Sequence, residues 1–151
     1  MRTHAPNEMR DLSLAECPAR LRLADTGRLA ITSRALPLVV PVEIDDVGHE
    51  LRIRSLLGDA VPLQEGNVVA LEVGTFGDGR YDEWSISVRG VLRRIPPQSA
   101  EEAALTQVLC RAPLFALSME LITGWTRTPS ANEHCNREEG PFAEQPRRAR
   151  R

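Results

Sequence analysis

The residues with the clearest chemical potential are Arg54, Ser55 and Gly58, within five positions at the end of an alternating segment. A guanidinium fork, a hydroxyl and a flexible turn residue together suit an anion. The same spacing also fits a solvated strand face, since Arg54 alternates with Arg52 and Glu50. Other candidates are weaker. His49 begins a strand, and His4 and His134 lie in loose segments. His134-Cys135 supplies two ligands where a metal site needs three or four. Asp45 and Asp46 have the chemistry of a turn. No nucleophile stands beside a base at a spacing that suggests covalent catalysis.

Whatever holds Arg54 and Ser55 in place must be built from strands. Leu29 and Ile31 mark one inward face; Leu36, Leu38, Val40, Val42 and Ile44 mark a second; Leu51 and Ile53 mark a third. Each follows the two-residue period of a half-buried strand. Pro41 cannot donate to a ladder, so it belongs at an edge, at a bulge, or where something other than a strand lies alongside. Val69, Leu71 and Val73 define a fourth strand, and Trp84, Ile86, Val88 and Leu92 a fifth, separated by a glycine-rich loop over 75–82. Trp84 points with Ile86 and Val88, which is the pattern of core packing. Phe115, Leu117, Met119 and Leu121 alternate as a sixth strand ending near Gly124-Trp125. Ser13 with Glu16 forms a capping box for a helix carrying Leu14, Cys17, Leu21 and Ala24, with Gly27 as its stop. Ser99 with Glu102 opens a second helix over 99–111. Many short strands and two or three short helices predict a mainly β domain, a small closed or split barrel.

The bulk properties exclude several classes. The chain has 151 residues and a formal net charge of -2, so no general basic field favours nucleic acid. Every basic residue except histidine is arginine, which removes lysine chemistry such as a Schiff base. The three cysteines, Cys17, Cys110 and Cys135, are scattered like reduced thiols of a cytoplasmic protein. The first residues lack the apolar core of a signal peptide, and no apolar run approaches a membrane span. Residues 1–11 are expected as a flexible lead-in, 12–125 as the barrel domain, and 126–151 as a disordered tail. The terminal Arg147, Arg148, Arg150 and Arg151 could otherwise touch an acidic partner.

Several segments in order carry a family resemblance: Gly27-Arg28-Leu29-Ala30-Ile31, Leu36-Pro37-Leu38-Val39-Val40-Pro41-Val42, Arg52-Ile53-Arg54-Ser55, and Glu83-Trp84-Ser85-Ile86-Ser87-Val88-Arg89-Gly90. Together with Leu12–Cys17 and Glu120–Gly124, they resemble the pyridoxamine 5'-phosphate oxidase-like proteins, in the short bacterial branch that includes nitroimidazole-reductase-like members. The resemblance covers roughly residues 11–125. It implies a six-stranded antiparallel split β-barrel that forms a homodimer with FMN at the subunit interface and acts on a small-molecule substrate. In the family an arginine, a threonine or serine, and a lysine after a glycine hold the flavin phosphate. Here Arg54, Ser55 and Gly58 match, and Ala60 stands at the lysine position. By the same analogy the backbone near Val40, Pro41 and Val42 lies along the isoalloxazine, and Trp84 matches a tryptophan near the site. The implied activity is flavin hydride or electron transfer, the cofactor carrying the redox chemistry. The alternative is a non-catalytic module of the same fold holding a flavin, a deazaflavin or haem.

Overall fold

In the computed structural model, residues 8–61, 63–75, 83–109 and 111–128 are described. The elements are β1 (Glu8–Asp11), α1 (Glu16–Leu21), β2 (Thr26–Ser33), β3 (Leu36–Asp46), β4 (Glu50–Ser55), a 3-10 turn (Gly58–Ala60), β5 (Val68–Thr75), β6 (Glu83–Ile95), α2 (Ala100–Val108), β7 (Leu114–Ser118) and β8 (Leu121–Thr128). All strand pairs are antiparallel, in the order β1-β8-β6-β5-β2-β3-β4-β7, and β7 also pairs with β6. That last pairing closes β6, β5, β2, β3, β4 and β7 into a six-stranded barrel. β8 and β1 extend from it as a wing.

The alternating rows fill the barrel as the two-residue period requires. Leu29, Val40, Val42, Leu51, Ile53, Leu71, Ile86, Val88 and Leu117 are completely shielded from solvent. Leu36 and Leu38 depart from expectation: they are 69% and 39% exposed. β4 pairs with β3 only over Val42–Asp46, so the first half of β3 runs beyond the closed section, held by β2 alone. Alternation continues there, but no opposite wall exists to bury it.

The expected sixth strand is two strands. β7 and β8 both lie along the same edge of β6: Leu117 pairs with Leu92, and Leu121 with Arg89. Between them the chain steps across at Ser118–Glu120. Gly90 makes the step possible, since a Cβ there would lie 1.8 Å from the Ser118 carbonyl oxygen. The Ser118 hydroxyl accepts a hydrogen bond from Val91 N–H at 2.9 Å. The apolar period runs unbroken through Met119, so periodicity could not reveal the step.

The Ser13–Glu16 capping box is complete, whereas at α2 Ser99 caps the helix and the Glu102 carboxylate reaches Gln98 N–H instead of Ser99 N–H. The Glu16 carboxylate accepts from Ser13 N–H at 2.8 Å, and Ser99 Oγ accepts from Glu102 N–H at 3.0 Å. Pro18 falls in the first turn of α1, where a missing N–H costs nothing. Helix α1 stops at Leu21, and Gly27, expected as its stop, lies within β2. No residue of α2 is buried, and Leu105 and Val108 are exposed, because the barrel core is already filled from within.

At the ends, β1 occupies part of the expected lead-in, pairing Glu8 with Thr128 through Asp11 with Trp125. Strand β8 continues three residues beyond the expected domain boundary. Thr126 is buried and donates to the Glu83 carbonyl at 3.1 Å, and Arg127 bonds the Glu83 carboxylate. Residues 1–7 and 129–151, and 76–82 of the expected loop, lie outside the described residues. Among those described, no helix is long and apolar enough to cross a membrane.

Candidate functional site

The site is built where β4 ends and β3 loses its neighbour. Ile44 N–H donates to the Asp25 carbonyl toward β2, whereas the Pro41 carbonyl accepts from Leu56 N–H at 3.0 Å on the β4 side. Strand groups alternate sides, so the main chains of Val40 and Val42 are engaged by β2 and their side chains fill the core. Pro41 and Val39 turn their backbone toward the open edge. A proline costs no ladder bond there. Of the three positions expected along a flavin ring, only Pro41 presents main chain to that edge. Val39 N–H is the nearest donor on the same side.

A groove of about 300 Å³ runs beside this edge, lined by Gly27, Arg28, Pro41, Leu56, Glu72 and Gly74. Arg28 and Glu72 face each other across β2 and β5 at 3.7 Å. Trp84 reaches the groove only indirectly. Its carbonyl oxygen lies 2.3 Å from where a Cβ on Gly74 would stand, so Gly74 lets β6 approach. The indole packs half-buried against the core, with the Arg20 guanidinium 5.5 Å above its ring.

Two residues beyond this groove's Leu56, toward the N-terminus, stands Arg54. Its side chain is half-buried on the outer face of β4, and Nη1 donates to the Ala112 carbonyl at 2.6 Å. The other four N–H groups have no partner among the described residues. Ser55 points the opposite way, as consecutive strand residues must. It is 6% exposed, and its Oγ accepts from Leu57 N–H at 3.1 Å, which starts the turn. Gly58 has φ +61°, a left-handed conformation that glycine adopts without strain. Ala60 closes the 3-10 turn, its N–H donating to the Leu57 carbonyl at 3.3 Å. The structure therefore gathers Arg54, Ser55, Gly58 and Ala60 around one turn, but places the Arg54 and Ser55 side chains on opposite faces. The Ser55 hydroxyl proton and the Arg54 fork remain able to donate. Around this turn the cation that reaches the outer face is Arg54, and Ala60 adds none.

Two contacts escaped the sequence. The Ala112 carbonyl that holds Arg54 is a main-chain group 58 positions away and leaves no trace in residue type. The Arg28–Glu72 pair follows only from strand register.

The comparisons agree with this architecture. Residues 13–115, well over half of the chain, match the family described as pyridoxamine 5'-phosphate oxidase. The chain belongs to that family. No curated protein matches it in sequence. Among solved structures it is similar to the FAD-binding protein of Mycobacterium smegmatis, at TM-score 0.60 and 22% identity, over 79% of this chain and 98% of that one. An FAD-binding protein of Mesorhizobium loti gives 0.59 and 20%, over 81% and 98%. The FAD and haem binding protein of M. smegmatis gives 0.54 and 17%, over 81% and 74%. At these identities the likeness establishes the split-barrel fold. A pyridoxamine 5'-phosphate oxidase family barrel thus carries Arg54 at the turn and Pro41 at its open edge.

Proposed function

We propose that the protein is a cytoplasmic, homodimeric, FMN-dependent oxidoreductase that acts on a small molecule. The observation that carries this reading is Arg54, a half-buried guanidinium with four N–H groups that have no partner among the described residues, two residues from a groove along the β3 edge. Burying a cation without a partner is unfavourable, so such a group is expected to face an anion when the protein works. Family membership and the flavin-binding neighbours support a flavin as the molecule that supplies it.

The residues have separable tasks. Arg54 and the turn at Gly58 would hold the phosphate end, with the inward Ser55 hydroxyl fixing that turn through Leu57 N–H. Pro41 and Val39 would offer a flat, donor-poor edge for the ring, and Arg28 with Glu72 sets the polarity of the groove floor. A bound flavin supplies reversible hydride and electron transfer. The protein's own part is to fix the ring's position and to exclude water.

Ala60 favours a second reading, a non-catalytic module that holds a flavin, a deazaflavin or haem. One cation is a thinner cradle for a phosphate dianion than two. The absorbance spectrum of the purified protein separates these outcomes. A flavin spectrum that bleaches with a reduced nicotinamide donor supports the oxidoreductase. A flavin that stays oxidised, or a deazaflavin or haem spectrum, supports the module. A colourless protein that takes up none of these ligands overturns both.

A further inference from the structure

On the other side of Arg54 from the Pro41 edge lies a groove of about 320 Å³, between α2 and the ends of β4, β6 and β7. Its polar lining includes Arg54, Arg94, Arg111, Glu102, Thr106 and Gln107. Three guanidinium groups meet one carboxylate there, in a protein whose net charge is -2. No ion pair among the described residues involves Arg54, Arg94 or Arg111. Glu102 does not answer the arginines, because its carboxylate accepts from Gln98 N–H at 2.7 Å and serves the N-terminus of α2. The groove's own lining therefore carries an excess of about two positive charges, while Arg54 also faces Glu43 across β3 and β4. Thr106 and Gln107 add neutral donors, and the volume is at the lower end of the roughly 300–1,000 Å³ typical of small-molecule sites.

We propose that this groove binds a phosphoryl group, with Arg94 and Arg111 supplying cations beside Arg54 that the turn itself lacks at Ala60. A phosphate or diphosphate matches the charge excess, and arginine forks match its oxygens in pairs. The inference rests on the flavin reading only for the source of the group. That source is either the flavin's own phosphates or a separate phosphorylated molecule.

The test compares wild type with an Arg94→Gln/Arg111→Gln variant at low salt. FMN and FAD are titrated by fluorescence, and inorganic pyrophosphate by calorimetry. Both side chains are exposed, so the variant should melt at the wild-type temperature; single variants serve if it does not. Loss of two charge-assisted contacts should weaken the phosphorylated ligand about tenfold or more, less so as salt screens the charges. Weakening of FMN or FAD assigns the group to the flavin. Weakening of pyrophosphate alone assigns it to a separate molecule. If wild type binds no flavin but binds pyrophosphate through these arginines, the flavin reading fails and the groove stands. Equal affinities in wild type and variant, or no binding of any probe, overturn the proposal.

Discussion

At the scale of single residues, two charged groups show how exposure sets consequence. Arg54 matters because it is half-buried and underused. Converting its neighbour Ala60→Lys should strengthen phosphate binding, but by less than Arg54 contributes, since a flexible ammonium loses side-chain entropy on reaching the ligand. FMN titration of that variant checks it. Glu16 behaves differently. Hydrogen bonds from Arg10, then from Ser13, lower its carboxyl to about 2, from an ordinary value of 4.5. A depressed carboxylate stabilises the fold above its unfolded value and loses that contribution as pH falls toward 2. Glu16→Gln should therefore flatten the fall of melting temperature between those pH values, modestly, because the pair is exposed to water. An unchanged acid limb would show that Glu16 does not fasten α1 to β1.

At the scale of elements, the fold was legible wherever one face of a strand meets a closed core. The rows of β2, β4, β5 and β6 follow directly from alternation. Three features were hidden because side-chain pattern does not encode them. β1 is held by backbone pairing of Glu8–Asp11 with β8 and by the Arg10–Glu16 ion pair, neither of which an apolar pattern marks. The step between β7 and β8 preserves the apolar period, and the exposed start of β3 alternates with no wall to meet. The hairpin joining β2 and β3 carries its own cost. Arg34 and Ala35 have φ +50° and +63°, the two left-handed positions of a type I′ turn, without glycine or asparagine. Arg34→Asn with Ala35→Gly should add about 1 kcal/mol of stability, or roughly 2–4 °C in melting temperature. Gly90→Ala should do the reverse. Its Cβ would collide with the Ser118 carbonyl, so a loss at the upper end of about 1–3 kcal/mol is expected in denaturant unfolding. A neutral result would mean that the β7–β8 step is held elsewhere.

At the scale of the whole molecule, the described residues leave an apolar surface uncovered on the outside of the barrel. Val39 and Val68 are 58% and 75% exposed, and Leu56 and Leu57 are about half exposed. Pro41 and Ala30 continue the same outer side of β3 and β2. Contiguous apolar patches of this kind mark interfaces, and a twofold axis satisfies one with a second copy. Sedimentation should thus show a dimer at micromolar concentration, and Val39→Glu should shift it to monomer. A monomeric wild type would remove the homodimer from the account. Of the candidate site, the sequence made Arg54, Ser55, Gly58 and Pro41 visible through residue type. The Arg94–Arg111 groove was not, because three strands and a helix bring those residues together from distant positions.

The most direct test of the central claim is titration of FMN into wild type and Arg54→Ala, followed by flavin fluorescence. A charge-assisted contact of about 1.5–3 kcal/mol predicts wild-type binding that weakens tenfold to a hundredfold in the variant. Equal affinity of the two proteins for FMN would place the site elsewhere on the barrel and contradict the account.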